Sequence, residues 1–252
     1  MGGQLRPILV IKVGTTSLLG DDERPQRAVF GAIAEDIRTL ARSWRIVVVS
    51  SGAIGFGVRH MQLDARPSRV DELQALATIG QVGLLRAWRE ALEPIMVGQI
   101  LLTRRELQQD WTRQQFAETA EVLIQRYGVV PVINENDAIA DEEITFGDND
   151  CLAAEVAHAL GADKLVFLTN QPGILRDFGT AQQSRLRQAT LAEARMVLHP
   201  SRSDAGTGGM ESKLLAVEQA LAHSIECYIS DARTPSPISA AMSGAVGTKI
   251  VQ

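Results

Sequence analysis

Two of the chain's lysines sit where a phosphate would be handled. Lys12 ends the apolar run Ile8-Leu9-Val10-Ile11 and is followed by Val13-Gly14-Thr15-Thr16-Ser17. Lys213 closes the glycine-rich stretch Gly206-Thr207-Gly208-Gly209-Met210-Glu211-Ser212. Only four of the 25 basic residues are lysine, the others being arginine. A lysine that survives such a bias fits a place that needs a compact ammonium rather than a planar fork. A lysine beside a glycine loop at a strand end is a recurrent device for neutralising a transferring phosphoryl group.

The stretch 206–209 offers successive backbone N–H groups ahead of a helix, an arrangement that cradles anionic oxygens; the plain alternative is a glycine turn. It is not a Walker A loop, and no Gly-x-Gly-x-x-Gly fingerprint occurs, so the two commonest nucleotide loops are excluded. Ser51-Gly52-Ala53 follows a strand pattern. Its N–H groups suit a carboxylate, or it is an ordinary turn with a serine cap. Asn134-Glu135-Asn136-Asp137 and Gly147-Asp148-Asn149-Asp150 mix amides with carboxylates. Such segments bind a zwitterion, Asp taking the ammonium and Asn the carboxylate, or a divalent cation, or serve as caps and polar loops. Asp150 also suits a different role, in which its carboxylate holds two lysines in place and keeps them charged. Thr169-Asn170-Gln171-Pro172-Gly173 is another polar cluster after a strand.

His60, His158, His199 and His223 make no ligand pair at helical or hairpin spacing, and no Gly-x-Ser-x-Gly or His-Glu-x-x-His motif occurs. No general base emerges. A nucleophile that is already an anion needs none, and a carboxylate attacking the γ-phosphoryl group of ATP is such a case. Catalysis then rests on positioning and charge neutralisation by Lys12 and Lys213, with Mg²⁺ arriving as MgATP.

The elements that must position these residues alternate between strand and helix patterns. Strands are predicted over 8–13, 45–50, 95–103, 129–133, 164–169, 225–229 and 247–251, with a short one over 143–146. Pro131 argues for a strand start, an edge or a bulge. Helices are predicted over 25–43 with Pro25 in the first turn, 70–92, 114–127 before a capping Gly128, 149–160 capped by Asp148 and ended by Gly161, and 210–224. The polar stretch 176–187 reads as a flexible loop. This rhythm predicts a mainly parallel sheet with helices on both faces and a site beyond the carboxyl ends of the strands.

The chain has 252 residues, 45% of them hydrophobic, and a net charge of −5. That suffices for one large core. No basic stripe is present, so nucleic acid is not an expected partner. Cys151 and Cys227 lack metal spacing, there is no signal-peptide pattern, and no apolar run nears the roughly 18 residues that cross a bilayer. A cytoplasmic protein without membrane association is expected.

These motifs together resemble the amino acid kinase superfamily, and within it the glutamate 5-kinases. The matching residues are Ile11-Lys12-Val13-Gly14-Thr15, Ser51-Gly52-Ala53-Ile54, Gly98 to Thr103, Val132 to Asp137, Phe146 to Asp150, Leu168-Thr169, Gln171-Pro172-Gly173 and Gly206 to Lys213. The resemblance implies an α/β/α sandwich around a mostly parallel eight-stranded sheet, a single domain over 1–252, and phosphorylation of the L-glutamate side-chain carboxylate toward proline. It implies Ser51, Gly52, Asp137 and Asn149 at the amino acid, and Lys12, Asp150 and Lys213 in transfer. Lys12, Gly14, Thr169, Asn170, Thr207, Gly208, Gly209, Met210 and Lys213 would hold ATP, and the protein would be a homo-oligomer, a dimer or tetramer. Many relatives carry a C-terminal PUA domain, and this chain is expected to lack one. Asn170 stands where the family usually has Asp, and Leu175-Arg176-Asp177-Phe178-Gly179 replaces a Tyr-Thr-x-Asp-Pro stretch. Two other readings remain open: a sister kinase for another carboxylate, and a non-catalytic amino-acid-binding homologue.

Overall fold

A strand that is apolar on both faces must be covered twice, and Ile8–Val13 is buried along its whole length. The computed structural model, which describes residues 5–20, 24–140, 148–198 and 208–252, supplies both covers. In chain order the elements are β1 (Ile8–Val13), α1 (Thr15–Leu18), α2 (Arg27–Leu40), β2 (Arg45–Ser50), α3 (Ala53–His60), α4 (Val70–Leu92), β3 (Val97–Leu102), α5 (Arg104–Leu107), α6 (Asp110–Glu121), β4 (Val130–Glu135), α7 (Asp148–Ala159), β5 (Lys164–Thr169), β6 (Leu175–Arg176), β7 (Ser184–Arg185), β8 (Gln188–Thr190), α8 (Leu191–Val197), α9 (Gly208–Ala222), β9 (Glu226–Asp231), α10 (Pro237–Met242) and β10 (Thr248–Val251). A π-helical turn, Val122–Arg126, extends α6.

Eight strands form one sheet in the order β3-β4-β2-β1-β5-β9-β10-β8, and β6 pairs with β7 in a separate hairpin. Every neighbouring pair in the large sheet is parallel except β9 with β10. Helices cover both faces, so the chain forms the expected three-layer α/β/α sandwich with a mainly parallel central sheet.

Period-two alternation sorts the strand residues between the layers. Ile8, Val10, Val49, Ile133 and Phe167 pack with Phe116 of α6, Leu152 of α7 and Leu214 of α9. Leu9, Ile11, Val48, Val132 and Val166 pack on the other side with Ile33 of α2 and Leu84 of α4. Trp88, fully buried on that second side, meets Phe30 edge-on at 4.9 Å and donates from Nε1 to Ser50 Oγ at 2.8 Å. Trp88→Ala removes about 3–5 kcal/mol by the usual cost of such truncations. The same parity assigns two polar residues. Lys12 follows Ile8 and Val10 toward α7 and α9, whereas Asn134 follows Val132 toward α4.

Several boundaries differ from the sequence reading. Pro25 bridges Leu19 in an extended pair, so its helix begins at Arg27 and ends at Leu40. The pattern over 114–127 divides into α6 and its π-helical turn. Asp148 belongs to α7 itself instead of preceding it. Pro131 lies in β4, an interior strand between β3 and β2. It is tolerated because it sits at the strand's start. Val130 donates to Met96 beside β3, so the N–H that Pro131 lacks would face β2, whose ladder begins only at Val48 and Val132. The stretch 176–187 is no simple loop, since β6 and β7 form a hairpin across it, directly before β8. The strand predicted over 143–146 lies outside the described residues. No described helix is long and apolar enough to cross a membrane.

Candidate active site

The carboxyl ends of β1, β2, β4 and β5 carry four of the predicted clusters, and side chains from β1, α7 and α9 meet at one carboxylate. Lys12 Nζ lies 2.5 Å from Asp150 Oδ1, and Lys213 Nζ lies 3.2 Å from Asp150 Oδ2. Ser212 Oγ donates to the same Oδ2 at 2.7 Å, and Lys213 Nζ also donates to the Gly209 carbonyl at 2.9 Å. Asp150 is 1% exposed and Lys12 is 4% exposed, so these two are shielded from bulk water, while the Lys213 side chain keeps 12% exposure. Asp150 stands in the first turn of α7, where a helix dipole favours a negative charge.

The electrostatics follow from that burial. Burial by itself would raise the Asp150 carboxyl, but the Lys12 and Lys213 ammoniums outweigh it and hold the group below the usual carboxylate range. Burial pulls Lys213 downward and the Lys12 charge adds to this, against the attraction of Asp150. Two ammoniums thus share one carboxylate, and the excess positive charge suits an incoming anion.

Ser51, 8% exposed, follows β2 and donates its N–H to Val13 O at 3.1 Å, which ties the turn to β1. Gly52 turns the chain into α3 at φ 113°, a conformation that a side chain rarely adopts. Behind that turn α4 approaches closely. A Cβ on Gly80 would lie 1.8 Å from Ala53 O, so only glycine permits the contact. Asn149 accepts at Oδ1 from the Glu135 N–H at 3.1 Å, joining α7 to the tip of β4. Asp137 is half-buried on the turn after β4. Asn134, 1% exposed, spends its Nδ2 on Gln81 Oε1 at 2.8 Å. One of its two amide hydrogens is thereby committed to Gln81.

On the other side of the Lys12 cluster, the Gly14 N–H donates to Leu168 O at 3.2 Å. Thr169 is buried at the end of β5 and accepts at Oγ1 from the Gln171 N–H at 2.8 Å. Asn170 is exposed, and its carbonyl accepts from Arg233 at 2.7 Å while Arg233 also pairs with Asp231. Gly208 opens α9, with exposed Gly209 and buried Met210 in its first turn. Thr207 and Gly206 lie outside the described residues. The sequence reading missed Gln81 and Arg233, and it named Ser212 only as part of the glycine-rich stretch, not as a partner of Asp150. Gly80 was the available signal for Gln81, because a glycine inside a helix costs about 1 kcal/mol and marks a close approach. His158 and His223, unpaired by sequence spacing, stack at 3.5 Å where the ends of α7 and α9 meet.

Comparisons with known proteins agree with this geometry. Residues 7–231 match the model of the amino acid kinase family, and the chain belongs to that family. It is 38% identical over 95% of its length to a glutamate 5-kinase of Myxococcus xanthus, of which it covers 65%. It is 39% identical over 96% of its length to a glutamate 5-kinase of Sodalis glossinidius, of which it covers 68%. The chain thus spans about two thirds of the length of these relatives. Carbamate kinase from Giardia lamblia bound to AMP-PNP shares the fold with a TM-score of 0.67 at 15% identity, over 98% of each chain. UMP kinase from Ureaplasma parvum does so with a TM-score of 0.65 at 13% identity, over 99% of this chain and 100% of that one.

Proposed function

We propose that the protein transfers the γ-phosphoryl group of ATP to the side-chain carboxylate of L-glutamate, giving glutamyl 5-phosphate and ADP, the first step toward proline. A carboxylate oxygen forms the new bond to phosphorus, the bond to the β-phosphate oxygen breaks, and its electron pair leaves with ADP. No proton moves, so no base is required. The observation that carries this reading is the pairing of Lys12 and Lys213 on Asp150, reached from β1, α7 and α9. The two ammoniums offset charge on the transferring phosphoryl oxygens, and Asp150 aims them.

Mg²⁺ enters with ATP as part of that substrate. Asp150 already receives Lys12, Lys213 and Ser212, so its part is to orient ammonium groups. Ser51, Gly52, Asp137 and Asn149 hold the amino acid, the Asn149 carbonyl being committed to Glu135 so that its amide nitrogen is left as a donor for a carboxylate. Gly14, Thr169, Asn170 and the segment from Thr207 to Lys213 hold the nucleotide. The N-terminal part of the domain thus serves the acceptor and the C-terminal part the nucleotide. We place the protein in the cytoplasm, in keeping with two buried cysteines that form no disulfide. A homo-oligomer is supported by exposed Met96 and Leu101 beside the sheet-edge strand β3 and by exposed Val82 on α4. Sedimentation showing only monomer overturns that assembly.

Protein supplied with MgATP, L-glutamate and hydroxylamine is expected to yield γ-glutamyl hydroxamate. No product at saturating ATP overturns the reading. The same assay with aspartate, N-acetylglutamate and 2-aminoadipate tests a sister kinase for another carboxylate; the changes at Asn170 and 175–179 fall on the nucleotide side and do not name a different acceptor. A strong preference for glutamate removes that second reading.

A further inference from the structure

We propose that the stacked His158 and His223 rings form an acid-sensitive latch between α7 and α9: the pair accommodates one proton, and a second drives the rings apart and loosens the two helices that carry Asp150 and Lys213. These helices pack together, with Leu152 and Val156 of α7 and Leu214 and Val217 of α9 in one apolar cluster. At their N-terminal ends Asp150 holds Lys213 and Ser212. His158 stands two turns further along α7, about 12 Å from Asp150. It lies in the last turn of that helix, and His223 directly follows α9, its N–H donating to Ala220 O at 3.0 Å. The ring centroids are 3.5 Å apart, with the planes 17° from parallel. The two rings are thus a second tie between the helices, at the end away from Asp150.

Neutral imidazoles stack as other aromatic rings do, and one imidazolium over a neutral ring is still an attractive contact. The carbonyl ends of both helices favour that first positive charge. A second charge meets its like face to face, and groups so close resist joint ionisation. Among the described residues the other charged groups facing His158 are Arg113 of α6, itself paired with Asp110, and Glu155 one turn earlier on α7. Arg113 opposes a proton on the ring and Glu155 favours it, so the two work against each other. Burial first, and the His223 charge next, hold His158 below the usual histidine range. A histidine depressed on folding takes its proton more readily when unfolded. The stability added by its neutral form is therefore present above 6.5 and is lost as pH falls through the lower folded value.

The test compares the parent with His223→Phe, which keeps a ring in the stack but takes no proton. The two should melt together at about pH 8, and at about pH 5.5 the variant should melt about 2–4 °C above the parent, the shift that one unit of coupling makes in a domain of this size. The ring-proton NMR signal of His158, assigned by its loss in His158→Gln, should titrate below 6.5 in the parent and move upward in His223→Phe. An equal loss of melting temperature on acidification, or an unmoved His158 titration, overturns the latch. If His223→Phe is unfolded at the higher pH, His223→Gln replaces it with the same expectations. The turnover arm rests on the kinase reading: kcat with MgATP and L-glutamate should fall more steeply on acidification in the parent than in the variant. Equal falls sever the rings from the site and overturn the proposal. A parent inactive toward every amino acid overturns the kinase reading alone, and the melts and the titration then decide the latch.

Discussion

The four lysines divide into two clusters of like composition, each with two ammoniums gathered on one carboxylate. At the carboxyl ends of the strands, Lys12 and Lys213 meet Asp150. At the opposite ends, Lys164 and Lys249 meet Glu226 at 2.7 and 3.0 Å, and Tyr228 donates its hydroxyl to the same oxygen at 2.7 Å. The difference is solvent. The Asp150 side chain is 2% exposed and that of Glu226 is 45% exposed. Lys164 further rests over the Trp44 and Tyr228 rings, at 5.9 and 5.5 Å. Around Glu226, water screens the excess positive charge and the cluster acts as a clasp between register neighbours, Lys164 beside Glu226 and Lys249 beside Tyr228. Around Asp150 the charges are largely shielded from water, and in the proposed reading the same three charges receive an anion. Burial, rather than the inventory of charges, separates a chemical site from a surface ion pair.

Breaking the buried cluster should have the largest effect. Lys213→Ala is expected to lower kcat by on the order of 100-fold, corresponding to about 3 kcal/mol, while the KM for glutamate changes far less. Lys249→Ala, its counterpart in the exposed cluster, should leave kcat within about twofold. Steady-state kinetics on both variants measure the contrast, and equal turnover in Lys213→Ala and the parent would remove Lys213 from the transfer step.

Asp150→Asn leaves two buried ammoniums facing each other and should lower the unfolding free energy by about 3–5 kcal/mol. Glu226→Gln should lower it by no more than about 1 kcal/mol. Urea titrations of the two variants read the difference directly, and comparable losses would deny that burial distinguishes the clusters.

The pH dependence sharpens the same contrast. The folded Asp150 carboxyl is depressed below 3.8, so the stability its ionisation adds is present above that value and lost as pH falls through the lower folded one. Lys213 is lowered from 10.5, so it sheds its proton earlier than an ordinary lysine as pH rises. The alkaline limb of kcat should therefore fall below 10.5, and Glu226→Gln should leave that limb in place. Glu226 itself is held at about 2, by its bond from Lys164 first and that from Tyr228 next, so its charge persists throughout this range. A kcat profile flat to pH 10.5 contradicts the assignment of Lys213.

The smallest effect concerns salt. Any stability lost in Lys249→Ala, at most about 1 kcal/mol, should vanish in 1 M NaCl, where charges are screened beyond about 3 Å. The loss in Asp150→Asn should persist, because salt does not enter a buried site. Melting curves at two ionic strengths decide it.

Much of the frame was legible in the residues. The continuous apolar character of Ile8–Val13 and the helical repeat over Val70–Leu92 announced elements that the structure reproduces at the same bounds. The clusters at 12–16, 50–53, 134–137 and 169–173 were placed after strands by the same local rule. Less legible were features created by strand order. Pro131 looked unsuited to an interior strand until the short β2 ladder beside it was known. The polar stretch 176–187 carries no apolar alternation, yet its segments pair as β6 and β7. Among the candidate residues, Lys12, Asp150 and Lys213 stood out by type. Gln81 did not, because a glutamine inside an amphipathic helix has no local signature.

The sequence by itself determined which residues face the same way along each strand and helix, because side-chain periodicity is a property of neighbours in the chain. It therefore put Lys12 on the face of Ile8 and Val10. Only the tertiary structure decided what lies across from that face. The order β4-β2-β1-β5 and the packing of α7 against α9 bring Lys12 and Lys213 within hydrogen-bonding reach of Asp150. They likewise set His158 against His223 and Asn134 against Gln81. Those meetings depend on the sum of many burial energies across the whole sheet, and no local stretch of sequence contains that sum.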